Sequence, residues 1–153
     1  MADYILERRA WLPRPRPEVF EFFADPRNLE RLHPWWARPR WLAPPPPRLS
    51  AGAILDFRAD GLPGRWRVII REFDPPYRFV DAQLVGPFAR WEHRHRFQEG
   101  EPGEGGTWVE DRVTYRLAFG FLGRLLHAVG AGRRIRRLFD YRDRRLRDLL
   151  GTG

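Results

Sequence analysis

His93, His95 and Asp111 are residue types that hold or move protons, and the strand period turns all three towards one interior. From Phe88 to Gln98 a period of two puts Ala89, Trp91, His93, His95 and Phe97 on one face, and Arg90, Glu92, Arg94 and Arg96 on the other. From Thr107 to Phe119 the same period groups Asp111 with Val109, Val113, Tyr115, Leu117 and Phe119, against Glu110, Arg112, Thr114 and Arg116. The charged rows need water, which leaves imidazole and carboxylate on the apolar side. A solid core would carry Leu or Val there, because an unpaired buried polar group costs roughly 2 to 7 kcal/mol. The sheet is therefore expected to face a cavity lined by Trp91, His93, His95, Phe97, Asp111, Val113, Tyr115 and Leu117, with Asp81 and Gln83 as second-rank candidates because the parity of their strand is ambiguous.

A symmetric register about the glycine-rich turn between Glu99 and Gly106 sets His93 opposite Asp111, and a slip of two sets His95 there. Either way a histidine meets a carboxylate. Three roles are open to such a pair: a satisfied buried contact that fixes register, a polar anchor for an otherwise apolar ligand, or a general acid–base couple in which His93, His95 and Asp111 are the catalytic candidates. Two histidines at i and i+2 beside a carboxylate also imitate a facial triad. The remaining histidines are scattered and no other feature supports an iron site, so neither metal nor cofactor is expected.

The elements that must position these residues are punctuated by proline and glycine. Tyr4 to Leu12 reads as a strand ended by Pro13, Pro15 and Pro17. Pro17 suits the start of a helix that carries Val19, Phe20, Phe22 and Phe23, and Asp25 caps a second short helix that ends at His33-Pro34. After Trp35, Trp36, Trp41 and a stiff run from Pro44 to Pro47, strands are expected at Ala53 to Asp60, Arg65 to Asp74 and Arg78 to Val85, separated by Gly-Leu-Pro-Gly and Asp-Pro-Pro turns. The chain closes on a long helical segment whose second half places Ile135, Leu138, Phe139, Leu146, Leu149 and Leu150 at three- and four-residue spacings. Gly130-Ala131-Gly132 interrupts that segment, so either the Arg-rich second half anchors it and the stretch holding Phe121, Leu122, Leu125, Leu126 and Val129 acts as a gate, or the glycines form a plain kink fitted to the curvature of the sheet. The order specifies an α+β fold, an antiparallel sheet with its helices gathered on one face.

A chain of 153 residues with 42% hydrophobic content suits a single domain over residues 1–153. Cysteine is absent, which removes thiolate chemistry, and neither an apolar leader nor a long greasy stretch is seen, so a cytoplasmic protein is expected. One Asn and two Gln make few thermolabile amides, the direction expected of a thermophile. The net charge of +8 is concentrated at the end, where residues 121–153 hold 9 Arg against 3 acids. That is a solvated helix face, or one that meets an anionic membrane surface or an acidic partner. Nucleic acid is not expected, because no exposed aromatics interleave the basic residues. The only serine is Ser50, and no nucleophile elbow or phosphate loop occurs, which removes the usual hydrolase and nucleotide chemistries.

Leu12-Pro13, Glu18-Val19-Phe20, Asp25-Pro26 through Leu29, Phe79-Val80-Asp81, Gly86-Pro87-Phe88, the run Trp91 to Phe97, Gly106-Thr107 and the closing Arg-rich helix follow one another in an order that resembles the START/Bet v 1-like superfamily. Within it the chain is most similar to bacterial SRPBCC proteins grouped with polyketide cyclases and lipid-transport domains. The resemblance spans nearly the whole sequence. It implies a helix-grip fold, a curved sheet of about seven strands around a long C-terminal helix, with a deep hydrophobic cavity beneath that helix. Binding of a small lipid- or polyketide-like molecule is the expectation, and no catalysis is demonstrated by the sequence. The alternatives are a cyclase or dehydratase using the His/Asp pair, and an interaction module that docks through the basic helix over a filled interior.

Overall fold

The computed structural model describes residues 3–60, 64–101 and 103–151. Residues 61–63 of the expected Gly-Leu-Pro-Gly turn, residue 102 of the glycine-rich turn and the side chain of Phe121 lie outside the described residues. Strand β1 (Tyr4–Leu12) is followed by helices α1 (Arg16–Ala24) and α2 (Asn28–Arg31), a 3-10 turn (Trp35–Ala37), then β2 (Pro39–Trp41), β3 (Ile54–Ala59), β4 (Trp66–Asp74), β5 (Arg78–Val85), β6 (Phe88–Glu99) and β7 (Thr107–Leu117). Helix α3 (Phe121–Leu126), a π-helical turn (His127–Ala131) and α4 (Gly132–Leu150) complete the chain.

The strands form one antiparallel sheet in the order β1-β7-β6-β5-β4-β3-β2, so the first strand closes against the last and every other neighbour is a sequential one. Alternation along β6 and β7 buries Trp91, His93, His95 and Phe97, together with Val109, Asp111, Val113 and Tyr115, while Arg90, Arg94 and Arg96 stay exposed. Register shifts in the β4–β5 pair, at Arg67/Val68 and Ile70/Glu72, and in the β6–β7 pair at Phe88/Arg90 bend the sheet and aim this buried face inward. Strand β2 is not expected from the sequence. Three residues opening on a proline carry too little alternation to be seen.

Helix α1 begins just inside a proline N-terminus and turns Val19, Phe20 and Phe23 onto the sheet. The Phe20 ring meets Phe97 at 5.2 Å, Phe73 at 5.4 Å and Phe79 at 6.0 Å, which plugs one end of the interior. Asp25 accepts a hydrogen bond from the Arg27 backbone N–H at 3.0 Å and turns the chain from α1 into α2. Helix α4 lies across the open face and buries Ile135, Phe139, Arg142, Leu146 and Leu150, a stripe at three- and four-residue steps. Its outer face exposes Arg133, Arg134, Arg136, Arg137, Arg144 and Arg147. Among the described residues no helix is long and apolar enough to cross a membrane.

The break between α3 and α4 has a packing cause. The His127 ring stacks on Tyr4 at 3.6 Å between centroids and its Nε2 lies 2.7 Å from the Tyr115 hydroxyl. A Cβ at Gly132 would come within 2.5 Å of that ring, so only glycine lets α4 start there. Ahead of the break, Leu122, Leu125, Leu126 and Val129 are all at least half exposed. Few buried contacts mean a small free energy of local opening. Backbone amides of residues 122–130 are therefore expected to exchange hydrogen faster than those of 135–149, measured by mass spectrometry of peptic fragments. Equal protection across both stretches would contradict this. The kink itself falls at Gly130, whose backbone is non-helical, with φ 160° and ψ −21°.

Candidate functional site

Six polar side chains from four elements and one connection converge where the centre of the sheet faces α4. β6 contributes His93 and His95, β7 Asp111, β5 Asp81 and α4 Arg142, and His33 follows α2. The strand register pairs His95 with Asp111 and His93 with Val113, which is the slip of two rather than the symmetric pairing. The short contact nevertheless runs diagonally: His93 Nε2 lies 2.8 Å from Asp111 Oδ1. The same oxygen accepts a hydrogen bond from Arg142 Nη1 at 2.9 Å and faces His95 Nδ1 at 3.5 Å. On the other side His95 Nε2 lies 2.8 Å from Asp81 Oδ2, with His93 Nδ1 at 4.0 Å from that atom. The two imidazoles stack at 3.7 Å, and His95 also stacks on Phe79 at 4.0 Å. The Arg142 guanidinium lies over Phe23 and Phe139, at 5.3 and 5.4 Å.

Electrostatics follow from this burial. Burial alone would push Asp111 up, but the charge of Arg142 and the hydrogen bond with His93 outweigh it and hold the carboxyl well below the usual carboxylate range. Asp81 is governed the same way: burial pulls it upward, and the hydrogen bond with His95 and the neighbouring charges bring it down. Burial and repulsion from His93 lower His95 to about 4, against the pull of the two carboxylates. His33 also falls to about 4, chiefly through burial, although its Nδ1 lies 2.7 Å from the Leu29 carbonyl oxygen.

Beside this cluster is a chamber of about 140 Å³ whose lining includes Asp81, His93, His95, His33 and Arg142 among mostly apolar residues such as Phe23, Leu55, Phe57, Val68, Ile70 and Phe79. A second chamber of about 470 Å³ lies towards the α3 end, lined by Trp36, Pro87, Phe88, Leu117, Phe119, Leu126, Val129 and Ile135 among others. Ala37, Trp66, Trp91 and Leu138 border both, so the chambers adjoin.

The structure separates the residues taken from sequence into three groups. Asp81, His93 and His95 border the small chamber, Leu117 the larger one, and Trp91 both. Asp111 sits behind the histidines, and Phe97, Val113 and Tyr115 are packed into the core without bordering either chamber. Gln83 braces the β5–β6 turn instead, its Nε2 donating to the Phe88 carbonyl at 2.7 Å and its Oε1 accepting from the Phe88 N–H at 3.3 Å. Two participants escaped the sequence reading. Arg142 fills the gap in the apolar stripe between Phe139 and Leu146, so helical periodicity carried the signal. His33 was read only as the end of a short helix.

A family model described as "Polyketide cyclase / dehydrase and lipid transport" matches residues 12–139. No curated protein sequence matches the chain. Among solved structures, TTHA0849 from Thermus thermophilus superposes with a TM-score of 0.70 at 20% identity, over 98% of this chain and 100% of that one. A START superfamily protein from Mycobacterium smegmatis gives a TM-score of 0.68 at 14% identity, covering 95% and 98%. Norcoclaurine synthase from Thalictrum flavum, in complex with dopamine and hydroxybenzaldehyde, gives 0.64 at 10% identity, covering 94% and 86%. At these identities the likeness carries the fold and no activity.

Proposed function

From the premise that this chain belongs to the polyketide cyclase/dehydrase and lipid transport family, we propose that it binds a small hydrophobic molecule between sheet and α4. The apolar body of the ligand occupies the two adjoining chambers, and its polar group meets Asp81, His93 and His95. The observation that carries this reading is a mostly apolar chamber with a few polar side chains in its lining, the pattern of a ligand pocket with few placed polar groups. Trp66 adds a further donor: it borders both chambers, and its buried Nε1 has no hydrogen-bond partner among the described residues. A docking module working only through the basic helix required a filled interior, and the two chambers argue against it.

Binding is favoured over catalysis because His95, lowered to about 4, is a weak base at neutral pH. Native mass spectrometry of protein purified without denaturation is expected to reveal a co-purifying apolar compound, recovered unchanged after incubation. Leu138→Trp, which would fill the border between the chambers, is expected to weaken binding of that compound at least tenfold while leaving the circular dichroism spectrum unchanged. A compound that is converted on incubation, with conversion lost in His93→Gln, would favour the cyclase or dehydratase reading instead.

A further inference from the structure

We propose that Asp81, His93 and His95 form a binding site for a divalent transition-metal cation, zinc in the first instance. This goes beyond ligand binding and does not depend on which molecule fills the chambers. One donor atom from each of the three residues lies within 4.8 Å of the others. The observed separations from Asp81 Oδ2, 2.8 Å to His95 Nε2 and 4.0 Å to His93 Nδ1, bracket the spacing of about 3.3 Å between ligand atoms that metal–ligand bonds of about 2.0–2.1 Å impose on a tetrahedron. The third separation, between the two imidazole nitrogens, is within 4.8 Å, and closing it onto one cation requires the stacked rings, 3.7 Å apart, to splay. Two imidazoles and one carboxylate form a donor set for zinc, cobalt or ferrous iron rather than for calcium or magnesium.

The groups behind the three ligands supply an independent argument. Asp111, fixed by Arg142, faces His93 Nε2, so that nitrogen donates and Nδ1 presents its lone pair towards Asp81. A carboxylate behind a ligating histidine is the usual way that a metal site orients the ring. His95 has the complementary defect. With its Nε2–H donated to Asp81, its Nδ1 is a buried acceptor without a partner among the described residues, and Asp111 Oδ1 stands 3.5 Å away. A cation on Nε2 moves that same proton to Nδ1, where it faces the Asp111 oxygen, and no proton leaves the protein. Charge also favours a cation, since two carboxylates stand against the single guanidinium of Arg142. All three ligands border the small chamber, so a fourth position would open to whatever occupies it.

The test uses untagged full-length protein stripped with a chelator, free of added ligand, and titrated with Co²⁺ and then Zn²⁺. The expected result is one equivalent of Co²⁺ giving intense visible d–d absorption, displaced by one equivalent of Zn²⁺. Asp81→Asn, which preserves shape, and His95→Gln are each expected to weaken Zn²⁺ binding at least tenfold, and Asp111→Asn by about 10–100-fold through loss of ring orientation. His127→Gln, at the α3–α4 break against Tyr4 and Tyr115, is the control expected to bind normally. If folded wild-type protein takes up no stoichiometric Zn²⁺, or if Asp81→Asn and His95→Gln bind it as wild type does, the proposal is overturned. Success or failure of hydrophobic-ligand binding is read separately, in metal-free protein.

Discussion

Arg142→Met is expected to destabilise the fold by about 3–5 kcal/mol, a large share of the stability of a domain this size. Asp111 is only 3% exposed, and among the described residues its one permanently charged partner is Arg142. Methionine keeps much of the side-chain volume between Phe23 and Phe139 but leaves the carboxylate buried without its counter-charge. Asp111 must then carry an uncompensated charge or take up a proton. The double variant Arg142→Met with Asp111→Leu removes both charges, and it is expected to recover most of the loss, falling short by the cost of leaving His93 Nε2 unpaired, about 1–3 kcal/mol. Urea unfolding of the two variants and wild type decides this. A double variant no more stable than Arg142→Met alone would mean that packing rather than the ion pair is what Arg142 supplies.

The same ion pair marks the limit of what was legible in the chain. Strand parity needs only one residue's neighbours two positions away, so the inward turn of His93, His95 and Asp111 follows from sequence. Register does not, because it depends on how the connection around Gly103 and Gly105, both at positive φ, consumes its residues; the pairing came out two residues from symmetric. Arg142 was legible in principle. It sits three residues after Phe139 and four before Leu146, but a search for apolar positions passes over a guanidinium, although an arginine interrupting a buried stripe calls for a buried acid across from it. His33 and Asp81 were harder. One follows a four-residue helix with no face to read, and the other belongs to a strand in which Phe79, Val80 and Ala82 are all buried, so that alternation is lost.

Between pH 6.5 and about 4, His33 is expected to remove about 2–3 kcal/mol of stability. Its ordinary value of 6.5 applies in the unfolded chain, and burial lowers it to about 4 in the fold. Within that window the unfolded chain binds a proton that the folded protein resists, so acid favours unfolding. Above pH 6.5 both states are neutral and the contribution is fully present; below about 4 both are charged and it is gone. A difference of that size corresponds to about 3 kcal/mol at most, and the residual exposure of His33 at the chamber wall places the expected figure in the lower part of the range. His95, also lowered to about 4, tilts the curve in the same direction, so a substitution is needed to isolate the share of His33. His33→Asn does so, since an Asn amide nitrogen stands near the position of Nδ1 and can still donate to the Leu29 carbonyl. With chelator present throughout, urea unfolding of wild type and His33→Asn from pH 7.5 down to pH 4 is expected to give two curves that run parallel at the top and diverge below pH 6.5, wild type falling faster. Curves that stay parallel to pH 4 would show that His33 takes up its proton equally easily folded or unfolded, and that the chamber wall is wetter than its lining implies.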